Sequence, residues 1–109
     1  MREIAWVKAA LKDFNAFPEQ VRERATDALA IAGFGQKADI AKPMLGLGAG
    51  VFEIVLPHKG NAFRVIYALQ IADVIWVVHA FQKKSTKGIA TPQREVDLIR
   101  NRIKRIREL

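Results

Sequence analysis

The stretch FRVIYALQIADVIWVVHAFQKKS, residues 63–85, decides the fold that we expect for this chain. Apolar residues alternate with others over its first half, from Phe63 to Leu69, and the run 74–81 is almost entirely β-branched or aromatic. Both patterns are typical of strands, and residues 70–73 between them predict a turn. The stretch therefore predicts an antiparallel hairpin. Arg64 lies among its apolar residues, and because an unpaired buried charge is costly, this arginine needs a partner or a ligand.

The flanking sequence predicts helices and further strands around this hairpin. The predicted helices are residues 4–14, residues 18–32 and a C-terminal helix with Thr91 as N-cap and Pro92 in its first position. The predicted strands are a short edge strand at 42–45 and a longer one at 51–56. This order indicates an α+β domain: a small antiparallel sheet of three to four strands, packed on one face by two N-terminal helices and one C-terminal helix.

Length and composition limit the classes of protein to which the chain can belong. Its 109 residues fit a single domain, 1–109, and half of them are hydrophobic, so we expect a folded protein. The chain has no cysteine and two histidines, from which we expect no metal site and no cofactor. No apolar run approaches the length that spans a bilayer, so we expect a soluble, cytoplasmic protein with no membrane partner.

The positive charge is concentrated in the C-terminal two thirds of the chain. Residues 1–36 carry five basic and five acidic side chains, so the whole net charge of +7 lies in residues 37–109. A one-sided basic field favours a polyanionic partner, either nucleic acid or an acidic protein.

The glycine-rich segment GLGAG, residues 46–50, has two interpretations. A dinucleotide-binding loop needs the spacing G-x-G-x-x-G between a strand and a helix. Here the last spacing differs and a strand follows. A flexible turn between strands is therefore the favoured interpretation, and a phosphate-binding loop is the alternative.

Cationic side chains are predicted to converge at one end of the sheet. An antiparallel hairpin places residues near position 64 opposite those near 79 and 80, so the loop 58–61, Arg64, His79 and the segment 82–85 share this end. Such a cluster can bind a phosphodiester and stabilise the additional charge of its transition state. The candidate catalytic residues are Arg64, His79, Lys83 and Lys84. The candidate RNA-binding residues are His58, Lys59, Gln82, Ser85 and Lys87.

Each candidate also has a structural interpretation. Arg64 can pair with Glu53 on a neighbouring strand, and His79 can be a hydrogen-bonded core histidine. The lysines can form a solvated strand end. A one-residue change in register moves His79 to the opposite face from Arg64, and the sequence leaves this register open.

Two segments, KPMLGLGAGVFEIVLPHKGNAFRVIYAL and HAFQKKSTKGIATPQREVDLIRNRI, resemble the phage-derived, HigB-type branch of the RelE superfamily, toxins of type II toxin–antitoxin systems. The resemblance covers roughly residues 14–108. It implies a microbial RNase fold and metal-independent cleavage of mRNA, often within the ribosome. It places the family's sheet arginine on Arg64, its strand-end basic cluster on Lys83 and Lys84, and its basic loop on Lys59.

The resemblance also implies a partner and shows one departure from the family pattern. The implied partner is a helix-turn-helix antitoxin, with which the chain forms a hetero-oligomer, and the implied substrates are mRNA and the ribosome. Better understood members carry a catalytic tyrosine or histidine on a short C-terminal segment, whereas this chain has a long helix with neither. A non-catalytic basic module that binds RNA or protein is the alternative function, and a phage structural protein is a third.

Overall fold

A five-stranded mixed sheet forms the centre of the structure, a computed structural model that describes residues 1–71, 73–83 and 91–109. The elements in chain order are β1 (Glu3–Trp6), α1 (Lys8–Asn15), α2 (Glu19–Gly33), β2 (Ala41–Pro43), β3 (Val51–His58), β4 (Asn61–Ile71), β5 (Val74–Lys83) and α3 (Gln93–Arg107). The strand order is β1-β5-β4-β3-β2, in which β1 is parallel to β5 and the other pairs are antiparallel. The α+β class is confirmed, but the sheet has five strands instead of three to four and is mixed rather than antiparallel, because β1 runs parallel to β5.

The additional strand, β1, replaces the start of the helix predicted at 4–14. Ile4 pairs with Ile75 and Trp6 with Val77, and the Val7 amide donates to the Val77 carbonyl before α1 begins. These contacts satisfy backbone groups along the edge of β5, and Ile4 and Trp6 pack against the core. The helical prediction fails here because an apolar residue at every second position also fits a strand, and only the neighbouring strand decides between them.

The predicted hairpin is present as β4 and β5. Ile71 pairs with Val74, and Asp73 has a positive φ of 57°. Towards the other end, Ile66 pairs with His79 and Arg64 with Phe81, so the register differs from the predicted one by one to two residues.

Helices cover both faces of the sheet, whereas the sequence predicted one. Helices α1 and α2 pack on the face that carries Val65 and Tyr67. Helix α3 packs through Ile99, Ile103 and Ile106 on the opposite face, against Ile66 and other residues. The prediction is wrong in this respect because residues 63–68 of β4 are all buried, and since successive residues of a strand point to opposite faces, both faces of the sheet need a cover. Within the described ranges, no helix is long and apolar enough to cross a membrane.

Candidate active site

A β-bulge on β5 places His79 on the same face of the sheet as Arg64. Val77 pairs with Tyr67 and Ala80 with Val65, and all four belong to the core beneath α1 and α2. The pairing of β4 with β5 shifts between Ile66 and Tyr67, so two residues of β5 occupy the space of one. His79, opposite Ile66, therefore faces α3 together with Arg64.

Arg64 is part of a buried polar network on this face. Its Nη1 lies 3.1 Å from both Glu53 carboxylate oxygens and donates to the Thr91 hydroxyl at 3.2 Å. Thr91 in turn donates to Glu53 Oε2 at 2.7 Å, and Lys42 Nζ lies 3.6 Å from Oε1. Arg64 is 4% exposed and Glu53 3%. The ion pair between Arg64 and Glu53, which was the structural interpretation of Arg64, is therefore present.

His79 is also buried and has partners on both ring nitrogens. Its Nε2 contacts a Glu95 carboxylate oxygen, and its Nδ1 lies 3.1 Å from Arg102 Nη1, which also donates to the Val78 carbonyl. A guanidinium can only donate, so Nδ1 accepts, and the neutral ring carries its proton on Nε2, towards Glu95. The Phe81 ring stacks on the imidazole at a centroid distance of 5.0 Å. His79, Glu95 and Arg102 thus connect β5 to α3.

The other predicted residues are distributed around the end of the sheet. Lys83 pairs with Ala62 and lies on the Arg64 face, beyond Phe81. Lys59 is exposed at the tip of the β3–β4 turn. By contrast, Gln82 pairs with Phe63, and the His58 ring lies 6.2 Å from the Phe63 ring, so both belong to the face covered by α1 and α2. The predicted residues Lys84, Ser85 and Lys87 lie outside the described residues.

Comparison with known proteins identifies the family. A search of curated proteins found no match. The family model of phage-derived Gp49-like proteins matches residues 12–104. The chain belongs to this Gp49-like family.

Solved RelE toxins have a similar fold. The isolated RelE toxin of E. coli is 18% identical with a TM-score of 0.62, over 97% of this chain and 99% of the toxin. A double mutant of E. coli RelE in the free state is 15% identical with the same TM-score, over 96% and 97%. In the RelB–RelE antitoxin–toxin complex of Methanococcus jannaschii, the matched chain is 15% identical with a TM-score of 0.55, over 81% of this chain and 100% of that one.

Three residues of the site in this Gp49-like chain were missed by the sequence analysis: Thr91, Glu95 and Arg102. Thr91 was predicted to cap α3, but Pro92 is the N-cap, without a side-chain hydrogen bond, and the Thr91 hydroxyl contacts Glu53 and Arg64 instead. Glu95 and Arg102 are seven residues apart, two helical turns, and so lie on one side of α3. This spacing is the signal that relates them, although it does not reveal that His79 lies between them.

Two aromatic residues of the Gp49-like sheet, Tyr67 and Trp76, pack with the core. Tyr67 is 1% exposed and stacks on Phe52 with a centroid distance of 5.4 Å, so it is not available to stack on an RNA base. Burial raises the pKa of the Tyr67 phenol above its ordinary value of 10.0. Trp76 is half-buried beside the α3 core.

Proposed function

We propose that this protein is the toxin of a type II toxin–antitoxin system, a metal-independent endoribonuclease that cleaves mRNA on the ribosome and inhibits translation. The observation that carries the proposal is the position of Arg64. Arg64 lies on the central strand of a sheet with the RelE fold, on the same face as His79 and Lys83 of the neighbouring strand β5. Membership of the Gp49-like family supports the same function.

The reaction needs only groups that RNA and this chain supply. The ribose 2′-oxygen attacks the adjacent phosphorus, the bond from phosphorus to the 5′-oxygen breaks, and the products are a 2′,3′-cyclic phosphate and a 5′-hydroxyl. One proton leaves the 2′-hydroxyl and one is given to the 5′-oxygen. In the proposal Arg64 binds the phosphate, Lys83 and Lys84 neutralise the developing charge, and His79 or one of the lysines transfers a proton.

Phosphate binding requires a local rearrangement of the site. Arg64 is nearly inaccessible, and its Nη1 is held by Glu53 and Thr91. Thr91 and the first turn of α3 must therefore separate from the sheet before RNA reaches the guanidinium. The phosphate oxygens then replace the carboxylate as acceptors of charge-assisted hydrogen bonds. Glu53 keeps Lys42, whose side chain is 51% exposed and 3.6 Å away.

The proposed partners are mRNA, the ribosome and a helix-turn-helix antitoxin that forms a hetero-oligomer with this chain in the cytoplasm. The basic charge of residues 37–109 supports both a nucleic acid and an acidic antitoxin segment as partners. RelE chains of similar fold occur in an antitoxin–toxin complex.

One observation favours a second function, binding without cleavage. Arg64 and His79 are both 4% exposed and both have protein partners, as expected for residues that hold α3 on the sheet. A basic module of this kind binds RNA or an acidic protein through its exposed lysines and arginines.

Induced expression in a bacterial host distinguishes the two functions. The wild-type chain should arrest growth and stop incorporation of labelled amino acids. The double variant Glu53→Met/Arg64→Met removes the guanidinium and its carboxylate partner together, so it should fold and leave growth unaffected. Removing one charge-stabilising donor commonly reduces rates about 10²- to 10³-fold. Arrest by the folded double variant would show that Arg64 has a structural role only.

A further inference from the structure

A basic pocket lies between the glycine loop 46–50 and the C-terminal half of α3, on a part of the helix distant from Arg64. Its volume is about 340 Å³. Leu47 and Ile103, both buried, form an apolar floor. The surrounding wall consists of Gly46, Glu108 and the helix cations Arg100, Lys104 and Arg107.

The three cations carry most of the charge of this pocket. They are spaced by four and three residues along α3, which places them on one face of the helix. Arg100 is 3.1 Å from Asp97 and contacts the Gly46 carbonyl at 3.5 Å. Within the described part of the chain, no carboxylate lies within 4 Å of Lys104 or Arg107.

The glycine loop leaves room beside these cations. Gly46 and Gly48 have φ values of +86° and +88°, the left-handed region that favours glycine. A Cβ at Gly48 would lie 3.8 Å from both terminal nitrogens of Arg107, and the corresponding position at Gly46 has no atom within 4 Å. A ligand can therefore approach the loop backbone and the guanidinium together.

We propose that this pocket binds a backbone phosphate of single-stranded RNA. For the class of ligand, this inference rests on the proposed function. Guanidinium and ammonium groups supply the donors that phosphate oxygens accept, and the apolar floor fits the ribose. Three cations of the lining outnumber its acidic residue, Glu108, and because Arg100 is paired with Asp97, Lys104 and Arg107 supply the charge for the phosphate.

The pocket lies at the far end of α3 from the Arg64 site. Thr91 contacts Arg64 just before the helix, and Arg107 ends it, a separation of about 24 Å along the axis. A phosphate held there fixes the path of the RNA several nucleotides from the cleaved bond. Such a contact sets the position of the strand without reading its sequence.

The test uses the full chain and a fluorescent 12-residue 2′-O-methyl RNA, which cannot be cleaved through its 2′-oxygen. Fluorescence anisotropy should show more than tenfold weaker binding for Lys104→Ala/Arg107→Ala. The matched control, Lys12→Ala/Arg105→Ala, removes the same kinds of charge from exposed positions outside the pocket and should weaken binding less than threefold. The slope of log affinity against log salt should become shallower by about 0.7 in the pocket variant, the value for one neutralised phosphate on a single strand.

A second measurement on the wild-type chain avoids any effect of substitution on folding. Adding the same RNA should shift the NMR signals of the amides at 46–48. Equal weakening of RNA binding by both double variants, or no shift at 46–48, would overturn the proposal. It would also be overturned if the pocket variant lost binding to polyglutamate but kept binding to the RNA. Because the RNA is uncleavable, the result does not depend on whether the protein is a nuclease.

Discussion

The buried ion pair between Glu53 and Arg64 allows a stability test whose magnitude follows from the structure. The substitution Arg64→Met leaves the Glu53 carboxylate, 3% exposed, with Lys42 and Thr91 as its remaining partners among the residues that the structure describes. Removing one member of a buried pair costs about 3–5 kcal/mol. For 109 residues, an unfolding entropy of roughly 0.23 kcal/mol/K converts this loss to a decrease in Tm of about 13–22 °C.

The double variant Glu53→Met/Arg64→Met should recover most of this loss. Two methionines fill a similar volume, and exchanging a buried pair for apolar side chains is often neutral or stabilising. Lys42 and Thr91 lose a partner, but both are accessible enough to bind water. The free energy of unfolding of the double variant should therefore lie within about 1 kcal/mol of the wild-type value.

Urea unfolding of the wild type, both single variants and the double variant measures the coupling energy directly. We expect a coupling of several kcal/mol, because each single variant leaves a buried charge and the double variant leaves none from this pair. If both single substitutions cost less than about 1 kcal/mol and their effects simply add, the pair is not buried and coupled as described.

Three further predictions concern the core and a turn. Ile99 is fully buried between α3 and the sheet, so Ile99→Ala should lower the free energy of unfolding by about 2–5 kcal/mol, measured by urea unfolding. Lys59 has a φ of 49° in an exposed turn, so Lys59→Asn should raise the free energy of unfolding by about 0.5–1 kcal/mol. The Tyr67 phenol ionises near pH 10.0 when unfolded but holds its proton to higher pH when folded, so stability should fall as pH rises above 10.0; Tyr67→Phe should remove this part of the decrease.

The hairpin and the two longer helices could be predicted because their signals are local. β-Branched alternation identifies β4 and β5, and apolar spacing identifies α2 and α3. The strand β1 could not be predicted in this way, because residues 3–6 become a strand only through pairing with β5. Similarly, the apolar stripe of α3 shows that one side of the helix is buried, but it does not show which face of the sheet the helix covers.

The buried ion pair of Arg64 could be predicted from the sequence, whereas the contacts of His79 could not. Arg64 and its pairing with Glu53 follow from a charge among apolar residues on neighbouring strands. The face of His79 depends on the bulge between residues 77 and 80, which shifts the alternation by one residue without any glycine or proline to mark it. The roles of Glu95 and Arg102 depend on that face, so they were missed with it.

The most direct test of the central claim is the chemistry of the RNA ends formed in a translation extract. With wild-type protein, mapping of mRNA fragments should show 5′-hydroxyl and 2′,3′-cyclic phosphate ends, and the folded Glu53→Met/Arg64→Met variant should leave the mRNA intact. Intact mRNA with the wild-type protein, or fragments with 5′-phosphate ends, would contradict an Arg64-dependent attack by the 2′-hydroxyl.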